Sequence, residues 1–403
     1  MMSDKHSLIS DYRLAEWTKG IAPSVLQEAG LQAQRSDSIS FALGMPAPEL
    51  FPAETYTQAL AHALRERQVT EYGLPDSALK QQIAHMMRGR GCDVQEDLIF
   101  VTAGAQQGMS LLASLFLDHE RQIMVEEYTY AGIYQVVAPW QPEILTVPID
   151  TETGLDVDAL EQQLREGARP AFIYTIPQGH NPVSVTLSLE KRYRLIELAR
   201  RYQIPIIEDD AYGFLSYADE QLPTLYSLDK DWVFYVGSFS KILAPGLRVG
   251  WLVAPTQFQH LLWAAKNAQD LQTSSTTQYA LAAYLKNTSF DDYLALLRTT
   301  YRERRDTMLE ALRAHFPSSA CWHTPQTGIF IWVEMAEVYD IASLARRALL
   351  EEGVAFIPGR AFLSASQAAR RDRYMRLNFS HTNCENIQEG IRRLGSLIKR
   401  IGQ

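Results

Sequence analysis

The stretch GSFSKILAPGLRVG, residues 237–250, follows an apolar run at 232–236 that predicts a buried strand. It places Lys241 just past the end of that strand, after two serines, and puts Arg248 seven residues later. An amine in this setting suits a nucleophile that attacks an aldehyde, because nearby positive charge lowers the pKa of a lysine. A surface turn with a solvated lysine fits the segment equally well, so the pattern alone leaves both interpretations open.

The same arrangement of strands recurs upstream of this stretch. From about residue 75 to residue 255, short apolar runs alternate with stretches of helical spacing. The runs cover Leu98–Val101, Gln122–Val125, Ala171–Tyr174 and Ile204–Ile207. Continuous apolar strands separated by helices predict an α/β fold whose mostly parallel sheet is covered by helices on both faces.

Beyond about residue 256 the pattern becomes helical. A long helix is predicted over 293–312, and a smaller α/β unit follows, with strands near 328–333 and 374–379. A chain of 403 residues has the length of two or three domains. We therefore predict three parts: an N-terminal arm and lid over 1–50, a large domain over 51–290 and a small C-terminal domain over 291–403.

The composition is that of a globular protein, and it excludes several functional classes. A formal charge of −9 argues against a nucleic-acid-binding surface that covers the molecule. No apolar run is long enough to cross a membrane, and the N-terminus lacks the apolar segment of a secretory signal. The three cysteines are scattered, which fits a reducing compartment better than a disulfide framework or a zinc site. We expect a cytoplasmic protein that binds no metal, membrane or nucleic acid.

Polar or small residues stand where the predicted strands end, and open parallel sheets bind their ligands at that edge. Asp209 could hold a protonated ring nitrogen there, or it could cap a helix. Gly104-Ala105-Gln106 opens a helix and could present backbone N–H groups to a phosphate, or its glycine could serve packing alone.

Three further residues also allow two interpretations. Asn181, before a proline, is a turn former whose amide could donate to a phenolate oxygen. Tyr130 could stack on an aromatic ring or pack in the core. Arg376 alternates with apolar neighbours, so its guanidinium could bind a substrate carboxylate or form a structural salt bridge.

Taken together, these segments resemble the pyridoxal-phosphate aminotransferases of fold type I, in the aspartate aminotransferase superfamily. The most specific element is Ser-Phe-Ser-Lys with Pro-Gly-Leu-Arg-Val-Gly, within residues 238–250. Asn181-Pro182, Asp209-Asp210-Ala211-Tyr212 and Arg376-Leu377-Asn378 agree in order and spacing. The resemblance implies that the large domain binds pyridoxal 5′-phosphate and that the site lies at the interface of a homodimer.

The resemblance also implies a role for each residue around the cofactor. Lys241 would form a Schiff base with the cofactor aldehyde and then move protons as a base. Asp209 would keep the pyridine nitrogen protonated, which makes the ring an electron sink. Asn181 and Tyr212 would hydrogen-bond the ring oxygen, and Tyr130 would stack on the ring. The phosphate would be bound by Gly104, Ala105, Gln106, Ser238, Ser240 and Arg248, with Tyr72 reaching across from the other subunit.

For the substrate, the resemblance implies that Arg376 binds the α-carboxylate with the help of Asn378. Gly44 and Asn181 would complete the contacts with the amino acid. These assignments come from the family pattern, and the residue spacing alone does not require them.

The N-terminal stretch narrows the resemblance to a subgroup. Ile39-Ser40-Phe41, with Gly-Met-Pro-Ala-Pro-Glu-Leu-Phe-Pro at 44–52, is similar to the 2-aminoadipate and kynurenine aminotransferases. Members of that subgroup use a mobile N-terminal segment as a lid. Arg13 and Ile21–Leu26 are the corresponding candidates in this chain.

Three segments depart from the family pattern. The phosphate turn reads Ala103-Gly104-Ala105 where many relatives have hydroxyl residues. Tyr128 stands where proline is usual, and Val183-Ser184-Val185 replaces the usual threonine and glycine after Asn-Pro. The last two changes leave the substrate, and the type of reaction, open.

We expect an aminotransferase of amino-acid metabolism that exchanges an amino group between an L-amino acid and a 2-oxo acid, with glutamate and 2-oxoglutarate as one pair. The alternative is another pyridoxal-phosphate reaction on the same scaffold, such as elimination, decarboxylation or cyclisation. A transcription regulator with an aminotransferase-like domain is disfavoured, because the segment before Ile39 carries no basic recognition helix.

Overall fold

The computed structural model describes residues 13–20, 38–73, 76–218, 221–367 and 372–402. Its strands, β1 to β15 in chain order, span Ile39–Ser40, Ile99–Thr102, Gln122–Glu126, Glu143–Val147, Ile149–Asp150, Gly154–Leu155, Pro170–Thr175, Ile206–Asp209, Val233–Ser238, Gly250–Val253, Cys321–Trp322, Phe330–Glu334, Val354–Ala355, Ile357–Pro358 and Tyr374–Asn378. Its α-helices, α1 to α12, span Ala53–Ala63, Ser77–Arg88, Ala105–Phe116, Ala131–Val137, Val157–Arg165, Leu189–Tyr202, Leu225–Leu228, Gln259–Asp270, Ser275–Asn287, Phe290–His315, Ile341–Glu352 and Cys384–Ile401.

A seven-stranded sheet forms the centre of the molecule, in the order β2-β10-β9-β8-β7-β3-β4. Neighbouring strands run parallel except at β10, which is antiparallel to both β2 and β9. Every residue of β2, β8, β9 and β10 is buried, because helices flank the sheet. Burial on both faces explains why these strands read as continuous apolar runs rather than alternating ones. The predicted α/β fold class is confirmed.

A second, four-stranded antiparallel sheet has the order β11-β12-β15-β14. The arm strand β1 pairs in parallel with β13 beside this sheet. Two backbone hydrogen bonds of 2.8 Å, from Phe41 N to Ala355 O and from Asn378 N to Phe41 O, continue the attachment. The arm therefore lies against the C-terminal part of the chain, while the predicted domain boundaries at 50 and 290 stay a prediction.

Several elements differ in extent from the sequence-based expectation. The strand expected at 204–207 begins at Ile206 and ends with Asp209, so the carboxylate belongs to the strand itself. The arm strand ends at Ser40 because its partner β13 has only two residues. The long helix α10 begins three residues before the predicted start, where the Ser289 hydroxyl caps it by accepting from Asp292 N at 3.3 Å. In the described parts of the chain, no helix is both long and apolar enough to cross a membrane.

Strand β10 was not predicted, and its first residue lies under the turn that precedes α3. Gly250 pairs with Thr102 on one side and Ser238 on the other. A Cβ atom at Gly250 would lie 2.7 Å from Gly237 O, 2.8 Å from Gly104 C and 2.9 Å from Ala105 N. Backbone on three sides therefore leaves no room for a side chain at this position.

We expect Gly250→Ala to destabilise the fold by about 1–3 kcal/mol, because the added methyl group must push apart backbone that cannot rotate away. Gly246→Ala is the matched control, since a Cβ atom there meets nothing within 4 Å. Urea unfolding of the two variants measures the difference. Equal midpoints for the two variants would contradict the packing argument.

Candidate active site

A cavity of about 230 Å³ lies at the carboxyl ends of the central strands. Twelve of the residues singled out from the sequence line it: Gly44, Ala105, Gln106, Tyr130, Asn181, Asp209, Tyr212, Ser238, Ser240, Lys241, Arg248 and Arg376. Consecutive parallel strands deliver their last residues to the same edge of a sheet. The N-terminal arm adds Gly44 and the antiparallel small sheet adds Arg376, 332 positions further along the chain.

Lys241 is partly buried in the turn after β9. Its Nζ donates to the carbonyl oxygen of Gly44 at 2.6 Å, which draws the arm over the cavity. Burial, and then the positive charges of Arg376 and Arg248, lower the pKa of Lys241 to about 8, against the opposing effect of Asp209. Part of the lysine population is therefore uncharged near neutral pH, and this part grows as the pH approaches 8; the uncharged amine is the form that acts as a nucleophile or base.

Asp209, the last residue of β8, is a buried carboxylate in the wall of the cavity. Its Oδ2 accepts from the hydroxyl of Tyr174 at 2.8 Å. Its Oδ1 is also buried, and no donor among the described residues reaches it. Burial raises the pKa of Asp209 to about 6. A buried carboxylate oxygen without a partner in a cavity wall is suited to a cationic N–H donor on a ligand.

Arg376 is buried on β15, opposite the large sheet. Its Nη1 donates to Asn181 Oδ1 at 2.7 Å, and its Nη2 donates to Ala42 O at 2.6 Å. The rings of Phe330 and Phe362 lie 4.1 and 4.7 Å from its Cζ. Within the described residues Arg376 forms no ion pair with a carboxylate, so the structural salt bridge that the sequence also allowed is not formed there. Burial lowers its pKa to about 10, and neutral acceptors compensate only part of its charge.

The turn before α3 forms an anion-binding end of the cavity. Gly104 has a φ of 93°, a backbone conformation that residues with a side chain rarely adopt, and it precedes the first residue of the helix. The Arg248 guanidinium packs against it so closely that a Cβ atom on Gly104 would lie 2.8 Å from Arg248 Nη2. That nitrogen donates to Ala103 O at 2.9 Å. Helix N–H groups and a guanidinium therefore converge where a phosphate would be favoured.

Two tyrosines border the space between the lysine and the carboxylate. The Tyr130 ring packs directly on Gly132: a Cβ atom at Gly132 would lie 2.2 Å from the ring, so a larger residue there would displace the tyrosine. The Tyr212 hydroxyl accepts from Asn181 Nδ2 at 3.4 Å. Asn181 thus contacts both Tyr212 and Arg376, and links the two sides of the cavity.

Four of the predicted site residues do not line the cavity. Gly104 lies behind it as the partner of Arg248. Asn378 is buried, and its amide donates to Ile329 O at 3.2 Å and to Ser380 Oγ at 3.0 Å; its predicted role beside Arg376 stays a prediction. Arg13 is exposed, and Tyr72 is 85% exposed on the single chain.

The roles predicted for Tyr72 and Arg13 stay predictions. The second lid candidate, Ile21–Leu26, lies outside the described residues.

Sequence reasoning missed several residues of the site. Leu43, Met109, Ile176 and Phe330 contribute apolar surface to the cavity, and Tyr174 holds Asp209 from behind it. In the sequence these residues belong to apolar runs, and nothing in such a run distinguishes a cavity residue from a core residue. Among the described residues, no group of three or more His, Cys, Asp or Glu side chains is placed to bind a metal ion.

Two of the three departures from the family pattern pack together beside Arg376. Val183 and Val185 are buried in a cluster with Trp332 and Phe362. The ring of Tyr128 lies 5.3 Å from those of Trp332 and Tyr374. These residues back the arginine, away from Lys241 and Asp209.

Comparison with known proteins gives matches over nearly the whole chain. A family model described as aminotransferase class I and II matches residues 39–394. Aromatic-amino-acid aminotransferase 1 of Thermococcus litoralis is 36% identical, covering 96% of this chain and 94% of that protein. The 2-aminoadipate transaminase of Thermus thermophilus is also 36% identical, covering 94% of each. The crystal structure of Pyrococcus horikoshii kynurenine aminotransferase, in complex with PMP, with KYN as substrates and KYA as products, superposes with a TM-score of 0.90 at 31% identity, covering 99% of each chain.

The electrostatics of the cavity predict how Lys241 titrates in the ligand-free protein. The rate of its acetylation should rise with pH to a plateau, with a midpoint near 8, because only the uncharged amine reacts. Arg376→Gln removes a charge that lowers the pKa of Lys241, so the midpoint should move up. Asp209→Asn removes a charge that raises this pKa, so the midpoint should move down. Mass spectrometry of the Lys241 peptide measures each rate, and a wild-type midpoint near 10.5, the ordinary value, would contradict the assignment.

Proposed function

The chain belongs to the class I and II aminotransferases, and we propose that its reaction takes place in the cavity beside Lys241. The enzyme is a pyridoxal-phosphate-dependent aminotransferase, and the resemblance drawn from its motifs is confirmed. The observation that carries the placement is the convergence on one cavity of a lysine with a lowered pKa, a buried carboxylate oxygen without a partner among the described residues, and an anion-binding turn.

The residues around the cavity fit the cofactor. Asp209 Oδ1 has no donor among the described residues, and an N–H group of the pyridine ring would supply one. Asn181 and Tyr212 would bind the ring oxygen, and Tyr130 would cover the ring. The phosphate would be bound by the anion-binding turn and its neighbours: Gly104, Ala105, Gln106, Ser238, Ser240 and Arg248. When bound, the cofactor supplies an aldehyde carbon for the amino group and a ring that withdraws electrons.

Lys241 acts as the base of the reaction in this proposal. The lowered pKa leaves its Nζ free to take a proton from the Cα of the amino acid at neutral pH. Asp209 stays ionised above its own pKa of about 6 and keeps a positive charge at the ring nitrogen favourable. Around neutral pH Asp209 is thus a carboxylate, while a fraction of Lys241 has the uncharged form that a base requires.

Arg376 binds the α-carboxylate of the substrate in this proposal. Its guanidinium is already aligned by Asn181 and Ala42, and its faces are covered by Phe330 and Phe362. Shielding from water strengthens a charge-assisted pair with a carboxylate. Gly44, whose carbonyl meets Lys241, would border the same substrate.

We further propose that glutamate and 2-oxoglutarate form one substrate pair. The similarity to the 2-aminoadipate and kynurenine enzymes supports this choice. Titration of the holoenzyme with single amino acids would identify the other amino acid of the exchange.

A homodimer is the assembly that we propose. Tyr72 is 85% exposed on the single chain, and the neighbouring Gly73 N donates to Gln272 Oε1 at 2.7 Å. An exposed tyrosine on an anchored loop suits a contact with a second subunit, where it would reach the phosphate of the partner's cofactor. The reaction would run in the cytoplasm, since Cys92, Cys321 and Cys384 are all free.

The half-reaction tests the proposed function directly. Single L-amino acids are added to the purified holoenzyme while its absorbance spectrum is recorded. One of them should convert the cofactor to its pyridoxamine form, and 2-oxoglutarate should reverse the change. Release of ammonia or carbon dioxide without that conversion would support elimination or decarboxylation instead.

Replacing the lysine tests the placement of the reaction. Lys241→Ala should abolish the visible absorption of the bound cofactor and lower turnover by roughly 10²- to 10⁴-fold, because both the covalent attachment and the base are lost. Lys286→Ala, on the exposed end of α9, is the matched control and should behave like the wild type. Wild-type turnover by Lys241→Ala would place the chemistry elsewhere.

A further inference from the structure

The only hydrogen bond that a side chain gives to Asp209 within the described residues comes from Tyr174. Tyr174 is the next-to-last residue of β7, and β7 runs parallel to β8. The register pairs Tyr174 with Ile207, two residues before Asp209, so both side chains project from the same face of the sheet. The distance from the hydroxyl oxygen to Asp209 Oδ2 is 2.8 Å.

Tyr174 can act only as the donor in this pair. Its side chain is fully buried, and burial together with the charge of Asp209 raises the pKa of the phenol well above its ordinary value. The hydroxyl therefore keeps its proton, and the carboxylate accepts it as a hydrogen bond. Because this bond occupies Oδ2, the other oxygen of Asp209 is left for a ligand.

We propose that Tyr174 is a positioning residue that keeps Asp209 ionised and directs its Oδ1 at the ring nitrogen of the cofactor. The inference rests on the proposed function, in which Asp209 meets that nitrogen. A carboxylate with no fixed donor can rotate about its last bond, whereas one anchored at Oδ2 presents Oδ1 in a single direction.

The charges around Asp209 give the sign of the effect. Burial raises its pKa, the Tyr174 hydrogen bond lowers it, the neighbouring Asp210 raises it, and the backbone N–H of Ala211 and the charge of Lys241 lower it. The other titratable groups that interact with it are the phenols of Tyr130 and Tyr212. Loss of the Tyr174 hydroxyl removes a stabilising influence on the carboxylate, so the pKa of Asp209 rises. Around neutral pH the protonated carboxyl group can then no longer favour a proton on the ring nitrogen.

The test is Tyr174→Phe, studied as holoenzyme with pyridoxal phosphate that carries ¹⁵N in its ring. The ¹⁵N chemical shift reports directly whether the ring nitrogen is protonated, independently of turnover. We expect the variant to lose ring protonation at neutral pH. The acidic limb of its kcat profile should move up by about one to two pH units, because a hydrogen bond to a charged group is lost.

Tyr235→Phe is a matched control. Tyr235 is as buried as Tyr174, and its hydroxyl donates to Asp210 Oδ2 at the same 2.8 Å. Both variants lose one buried hydrogen bond to a carboxylate, so their thermal unfolding should shift alike. Only Tyr174→Phe should change the ¹⁵N shift and the pH profile.

The outcomes separate the two levels of the proposal. A ring nitrogen that is unprotonated in the wild type would overturn the role of Asp209 on which the inference rests. A nitrogen that is protonated in the wild type, unprotonated in Asp209→Ala and still protonated in Tyr174→Phe would overturn the role of Tyr174 alone. Equal changes of the ¹⁵N shift in Tyr174→Phe and Tyr235→Phe would mean that the effect is only structural.

Discussion

The hydrogen bonds of one buried arginine join the three parts of the chain that form the site. Arg376 comes from the small sheet, its partner Asn181 from the loop after β7, and its partner Ala42 from the arm. A buried guanidinium without a carboxylate partner is costly unless its donors are satisfied, so these acceptors cannot move away independently. Since Asn181 also contacts Tyr212, the position of the arm is coupled to the groups that would hold the cofactor ring.

The charge distribution of the cavity follows from the same arrangement. Three cations, Lys241, Arg248 and Arg376, border it, whereas Asp209 is the only carboxylate in its lining among the described residues. Mutual repulsion and burial push the lysine towards its uncharged form, and burial pushes the acid towards protonation. A phosphate and a substrate carboxylate would relieve the excess of positive charge. The site is therefore electrostatically incomplete until both anions are bound.

The sequence predicted the cavity well because strand ends are readable from apolar runs. It also singled out Asp209 from three successive acids, and Asp209 does line the cavity. Glu208, Asp209 and Asp210 belong to one strand end, where side chains alternate between faces. Asp210 pairs with Arg90 at 2.9 Å, and Glu208 accepts from Leu225 N and Tyr226 N at 2.8 Å. A helix cap was the competing interpretation for Asp209, and only pairing with the neighbouring strands separates the two.

Long-range pairing also explains the residues that were missed. Strand β10 is a four-residue run directly after the motif, and nothing local indicates that it inserts antiparallel between β2 and β9. In the sequence Tyr174 looks like any other strand residue, and only the pairing of β7 with β8 brings its hydroxyl to Asp209. The partners of Asn378 also depend on long-range pairing: on a strand the side chain two residues after Arg376 shares its face, and the backbone of Ile329 and the hydroxyl of Ser380 accept from its amide.

Two of the three segments that depart from the family pattern lie on one side of the site, whereas the third, Ala103-Gly104-Ala105, forms the anion-binding turn. Tyr128, Val183 and Val185 contribute to the apolar cluster behind Arg376, with Trp332 and Phe362. The lysine, the carboxylate and the anion-binding turn belong to the opposite side, on strands of the large sheet. Substitution in the cluster changes the support of Arg376, which is coupled by its hydrogen bond to Asn181, at the start of the loop that carries Val183 and Val185. The two sides of the site are therefore joined at Asn181, which also contacts Tyr212.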